Sequence, residues 1–122
     1  MRGVNEVRLL GNLGIDPDLR HTKTGVPVCN LRVCTNTQYA DANNQTRSLA
    51  EWHNVTVWGS LGAQTANKLI QGCSVWLRGR LESHRYTNKE GNEVRSWNVV
   101  AEDIIFLTTK DDFEFDDSVD DI

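Results

Sequence analysis

Residues 74–86, SVWLRGRLESHRY, alternate without interruption: Val75, Leu77, Gly79 and Leu81 take one set of positions, and Trp76, Arg78, Arg80, Glu82, His84 and Tyr86 the other. A period of two is what an extended strand with one covered face requires, and a helix cannot sort such a run onto two faces. The same rhythm runs through VPVCNLRVCTNT (26–37), where Cys29, Leu31, Val33 and Thr35 alternate with Asn30, Arg32, Cys34 and Asn36. It returns in EWHNVTVWGS (51–60), in VNEVRLLGNL (4–13), where Val7, Leu9 and Gly11 share a face, and in EVRSWNVVAEDIIFL (93–107). Breaks fall at GIDPDLR, at Thr24-Gly25 and at TNKEGN, all rich in turn formers. Short alternating segments between turns predict an all-β domain.

Two segments depart from the rhythm. Residues 38–48 are polar and Asn-rich, which predicts a long mobile loop. LGAQTANKLIQ (61–71) is the one helical candidate, with Ser60 as N-cap, Leu61, Ala66, Leu69 and Ile70 roughly on one face, and Gly72 as the stop. Three strands, one helix and two strands is the order of the OB-fold, a five-stranded Greek-key barrel that here carries its helix between strands 3 and 4.

The chain has 122 residues and a net charge of −4, unevenly spread. Seven of the 17 acidic residues lie in 111–122, so residues 1–110 hold all 13 Lys and Arg against ten acids, a net +3. A mildly basic domain over 1–109 followed by a disordered acidic tail over 110–122 is the expected organisation. No run approaches the roughly 20 apolar residues of a membrane span, and no signal peptide is evident, so a cytoplasmic location is expected. Cys29, Cys34 and Cys73 are odd in number and lack CxxC spacing, which favours idle thiols over a disulfide or a metal site.

In 51–60 the alternation puts Trp52, Asn54, Thr56 and Trp58 opposite His53, Val55 and Val57, so two of the four tryptophans fall on the polar side. Unpaired nucleobases stack on such rings while basic side chains follow the phosphates. Six residues separate the two tryptophans, about 20 Å along a strand at about 3.3 Å per residue, a spacing for two stations on one path. The strand at 74–86 adds Tyr86 with Arg78, Arg80 and Arg85, and the following loop adds Lys89. Packing between protein subunits is the other account of exposed tryptophans. For Trp76 both readings stand; Trp97 shares its parity with Val99 and Ala101, which predicts core or edge packing.

RGVNEVRLLGNLGIDPDLR, EWHNVTVWG and GCSVWLRGRLESHRYTNKEG, in this order and spacing, resemble the bacterial single-stranded DNA-binding protein family over about residues 2–107. The resemblance implies a homotetramer of OB-folds around which single-stranded DNA wraps. By position, Trp52, Trp58, Tyr86 and Tyr39 match the family's base-stacking aromatics, with Arg32, Arg78, Arg80, Arg85 and Lys89 as phosphate-neutralising candidates. His53 and Trp76 match positions of subunit contact. The tail, with Asp116, Asp117, Asp120, Asp121 and Ile122, matches a segment that recruits replication and repair proteins, although the family's tail usually ends in Ile-Pro-Phe and this sequence reads SVDDI.

Catalysis has little support. His21, His53 and His84 lack HxE or HExxH context, and neither a PCxxC element nor a Gly-rich phosphate loop occurs. No cofactor or metal is expected. The expected function is sequence-independent binding and protection of single-stranded DNA in replication, recombination and repair. The alternative is an OB-fold adaptor of a primosome or replication-restart complex that acts mainly through protein contacts.

Overall fold

A computed structural model describes residues 1–113. Its elements are β1 (Val7–Leu13), β2 (Asp18–His21), β3 (Pro27–Ala40), β4 (Thr46–Trp58), α1 (Gly59–Lys68), β5 (Ser74–Thr87) and β6 (Glu93–Phe106), followed by a 3-10 turn at Lys110–Phe113. Hydrogen-bonded neighbours run β1–β5–β6–β4–β3, and β1 meets β3 again through Asn12↔Cys34 and Leu13↔Val33. Those five strands therefore close into a barrel. The closing seam is short, and β1 from Val7 to Gly11 has a strand partner only on its β5 side. One parallel contact, Val55↔Val99 and Thr56↔Val100, joins β4 to β6; the other pairings are antiparallel. This is the OB-fold that the segment order predicts.

The alternating runs sort as the period demands. Leu9, Cys29, Leu31, Val33, Val55, Val57, Val75, Leu77, Val99 and Ala101 fill the barrel, each at most 8% exposed. Burying a Val or Leu side chain contributes about 1.5–3 kcal/mol, so the strand register is fixed by these positions. A slip of one residue would turn them all to water. Burial also pushes the Cys29 thiol up to about 11, with the nearby Asp18 carboxylate adding to the shift, so it stays protonated and inert. All three cysteines are free thiols.

Three expectations need correction. Residues 38–48 are not a long loop: β3 and β4 stay paired out to Ala40↔Thr46, a ribbon that projects beyond the barrel and turns only at its tip. GIDPDLR is not merely a break, since Asp18–His21 pairs with β3 as the short strand β2. The helix starts at Gly59 and ends at Lys68; its N-cap is Trp58, with no side-chain cap hydrogen bond, and Ser60 lies inside the first turn. Leu69, which would be the eleventh helical residue, is already extended, and at 2% exposure its side chain belongs to the barrel core. After β6 the 3-10 turn is held where Asp112 Oδ2 accepts from the Thr109 N–H at 2.7 Å, and the Phe113 ring lies near Gly72. Residues 114–122, which include Asp116, Asp117, Asp120, Asp121 and Ile122, lie outside the described residues.

The hairpin tips share one construction. At Thr22–Val26, Asp41–Gln45 and Asn88–Asn92 the first residue donates its N–H to the fifth carbonyl, at 2.9 Å in each case. The first residue's side-chain oxygen accepts from the fifth N–H, and the fourth residue, Gly25, Asn44 or Gly91, has positive φ (88°, 62° and 83°). Gly and Asn are the residues that enter that region at least strain. Asp41 adds Arg47, whose Nε donates to Oδ2 at 2.8 Å, and these bonds hold its carboxyl below the usual range.

Candidate nucleic-acid interface

β3 and β4 set the geometry of the site. Paired residues share a face, so Cys34↔Trp52, Arg32↔Asn54, Asn30↔Thr56 and Val28↔Trp58 place both tryptophans on the outer wall of the barrel, away from the core. Trp52 and Trp58 are 49% and 50% exposed. Arg32 lays its guanidinium over the Trp52 ring, 5.4 Å from the centroid, a cation–π contact that orients the indole. On the other strand of the seam, Gly14 donates its N–H to the Arg32 carbonyl at 2.8 Å, and the six-membered ring of Trp52 lies against its Cα. A side chain at position 14 would overlap that ring. Beside the tryptophans a polar ladder crosses three strands: Asn98 Nδ2 donates to Thr56 Oγ1 at 2.7 Å, and Thr56 Oγ1 to Asn30 Oδ1 at 3.3 Å. It holds β6, β4 and β3 level where they carry the exposed rings.

The remaining candidates are distributed over the barrel. Tyr39, paired with Arg47 near the tip of the β3–β4 ribbon, is on the opposite face of that ribbon from Trp52. Tyr86, paired with Val94, is near the tip of the second ribbon, formed by β5 and β6, where Lys89 sits in the turn. Both tyrosines are about half exposed. Arg85 is also on this ribbon and pairs loosely with Glu93 at 3.5 Å. Arg78 and Arg80 are not assembled with the tryptophans: Arg78 is bonded to Asp103 and Glu102, and Arg80 to Glu82 and Glu102. The Asp103 carboxylate holds the Arg78 guanidinium pKa above its ordinary value. Among the described residues, Arg32, Lys89 and Arg95 have no such ion pair.

His53 is half-buried, with Nε2 and Thr35 Oγ1 hydrogen-bonded at 2.9 Å. Trp76 lies elsewhere, in a row formed by Leu10↔Trp76↔Ile105 across β1, β5 and β6, on the outside of the barrel. Leu10 and Ile105 are 63% and 54% exposed. Trp97 overturns its expectation. It is 52% exposed, has the Arg95 guanidinium 5.6 Å from its ring centroid, and lines a shallow cleft with Trp52, His53, Asn54, Leu81 and Asn98. Its parity does match the core strand positions, but at residue 97 the ribbon has left the barrel and no core remains to cover it.

A closed OB barrel whose β3–β4 wall carries two half-exposed tryptophans, one of them under an arginine, falls in a class of β-barrels that often bind oligonucleotides or oligosaccharides. The single-strand binding protein family model matches residues 4–107, and the chain belongs to that family. The single-stranded DNA-binding protein of Neisseria meningitidis is 36% identical over 104 residues, covering 85% of this chain and 60% of the relative. Single-stranded DNA-binding protein 1 of Xylella fastidiosa is 32% identical over 113 residues, covering 92% of this chain and 83% of the relative. The chain thus spans about three fifths of the length of the Neisseria relative. Among solved structures, a deletion mutant of the Thermus aquaticus single-stranded DNA binding protein matches with a TM-score of 0.76 at 30% identity, over 87% of this chain and 51% of that one. The Plasmodium falciparum SSB in complex with ssDNA matches with a TM-score of 0.81 at 23% identity, over 88% and 97%, a likeness of fold.

Proposed function

We propose that this protein binds single-stranded DNA without sequence preference and protects it during replication, recombination and repair. The observation that carries the reading is the pair Trp52 and Trp58, half-exposed on the outer β3–β4 wall, with Arg32 stacked on the first. An aromatic face accepts any base, which gives affinity without readout of sequence. Tyr39 and Tyr86 extend the path along the two ribbons, and Arg32, Arg85 and Lys89 neutralise phosphates. Arg78 and Arg80, tied to carboxylates, contribute less. The function is binding, with no reaction catalysed.

The same proposal includes a cytoplasmic homotetramer. The apolar row Leu10, Trp76 and Ile105 is an uncovered patch on the β1–β5–β6 wall, next to the ion pairs of Arg78, and a second copy of the chain is its natural cover. No helix among the described residues is long and apolar enough to cross a membrane. Recruitment of replication and repair proteins by Asp116, Asp117, Asp120, Asp121 and Ile122 rests on the sequence alone.

Titration of the intrinsic tryptophan fluorescence with oligo-dT, oligo-rU and duplex DNA tests the reading. Strong quenching by oligo-dT, weak quenching by duplex, and a log–log salt slope near −0.7 per phosphate neutralised are expected. No quenching and no binding would hand the tryptophans to a protein interface and favour an adaptor.

A further inference from the structure

The β5–β6 ribbon has a face that the base path just described does not use. Register places Ser83↔Trp97 and Arg85↔Arg95 side by side on it, with Glu93 next along. Two arginines directly opposite one another on a two-stranded ribbon repel, and stability gives no reason for the pair. Glu93 compensates only one of them, at 3.5 Å from Arg85, so the spot keeps an uncompensated positive charge. Immediately beside it Trp97 is half exposed, with Arg95 over one face of the ring. The cleft at Trp97 is shared with Trp52, and Asn54 and Asn98 on its walls offer amide groups to the edge of a planar ring.

We propose that Trp97 and Arg95 form a further nucleotide station: a base of the single strand stacks on the Trp97 indole, and its phosphate is held between Arg85 and Arg95. The inference rests on the single-strand reading and adds a component to it. It gives the strand a place on β6, between the wall at Trp52 and the ribbon tip at Tyr86 and Lys89. Arg95 acts twice, fixing the ring from behind and supplying charge for the phosphate. The occupant is a nucleotide rather than an apolar side chain because ring, paired cations and amide edges occur together, and a hydrophobic partner would leave the Arg95 guanidinium buried without an anion.

Photocrosslinking and binding on the full chain test it together. Oligo-dT carrying 5-iododeoxyuridine, irradiated with the wild-type protein, is expected to label the tryptic peptide of residues 96–110 at Trp97, as well as the peptide of residues 48–68 that holds Trp52 and Trp58. Trp97→Ala is expected to weaken oligo-dT binding about 5- to 150-fold, the range of one stacked base, with Trp97→Phe retaining most of the affinity. Arg95→Gln should lower the magnitude of the salt slope by about 0.7, one phosphate. Label on residues 48–68 but none on 96–110, or wild-type affinity for Trp97→Ala beside a loss for Trp52→Ala, would overturn the station and leave the single-strand reading intact. A Trp97→Ala variant that changes oligomeric mass in sedimentation would also overturn it, by assigning the ring to a subunit contact. If neither Trp97→Ala nor Trp52→Ala binds less well, the single-strand reading itself fails.

Discussion

Gly14→Ala separates the orientation of Trp52 from the stability of the barrel. The added methyl would overlap the six-membered ring of Trp52, while the backbone at residue 14 is not among those with positive φ, so alanine is sterically allowed in every other respect. The obstacle is the far end of one side chain, and the ring, not the strand, gives way. Moving it breaks the Arg32 contact, about 0.5–1 kcal/mol at an exposed site. Replacing glycine by alanine returns about 0.4–1 kcal/mol by restricting the unfolded chain. The two offset, so the urea midpoint should hardly move. Binding is different: a displaced Trp52 forfeits one stacked base, about 1–3 kcal/mol, or about 5- to 150-fold in Kd. Fluorescence anisotropy of a labelled oligo-dT at fixed salt measures it, with Trp52→Ala and the double variant completing a cycle. If Gly14 acts through the ring, its substitution has no further effect once Trp52 is alanine. An equal loss in both backgrounds, or none in either, would refute the reasoning.

Other consequences are as direct. Ile105→Glu puts a charge into the Leu10–Trp76–Ile105 row without touching the core, and sedimentation velocity should show a smaller species with an unchanged circular dichroism spectrum; an unaltered mass would remove that wall from the assembly. Gly91→Ala should lower stability by about 1 kcal/mol in urea, the cost of a left-handed residue with a Cβ, since that Cβ meets nothing within 4 Å. Gly91→Asn should cost less, because Asn44 holds the equivalent place in the β3–β4 tip. Asp41 has a depressed carboxyl pKa, so its contribution is present above the unfolded value of about 3.9 and is lost as pH falls through the lower folded value. The protection factors against hydrogen exchange of the Asn43 and Gln45 amides, both bonded to Asp41 Oδ1, should therefore fall over the same acid range. In Asp41→Asn that pH step should be absent.

Much of the barrel was legible because its core strands obey a strict period of two: Cys29, Leu31 and Val33, or Val75 and Leu77, lie on the inner face that alternation assigns them. The ribbon from Ala40 to Thr46 was not legible, for a reason its chemistry explains. Its strands leave the core, so they carry no apolar alternation, and its turn uses Asn44 where the other two tips use Gly25 and Gly91, which hides the shared five-residue pattern. The early end of α1 escaped for the converse reason. Leu69 has the right spacing for the helix face, but the demand of the barrel for a plug at that end overrides local propensity.

The site divides along the same line. Strand parity put Trp52 and Trp58 on the outer face, where they are, because the wall they stand on is regular and its other face is buried. Parity misplaced Trp97 because a rule about faces says nothing about where a core ends. Along β6, Val99 and Trp97 have the same parity, yet Val99 is 4% exposed and Trp97 is 52%. The difference is that Val99 lies across from Val55 on the neighbouring strand, while two residues further out only Ser83 of its own ribbon is paired with Trp97. Charge shows the same limit. Arg78 and Arg85 read alike in sequence, as arginines interleaved with aromatics, but the strand opposite brings Asp103 to one and Arg95 to the other. Cross-strand partners, which composition and period do not encode, decide which arginine sits among carboxylates and which faces a second cation, with only Glu93 at 3.5 Å to offset it.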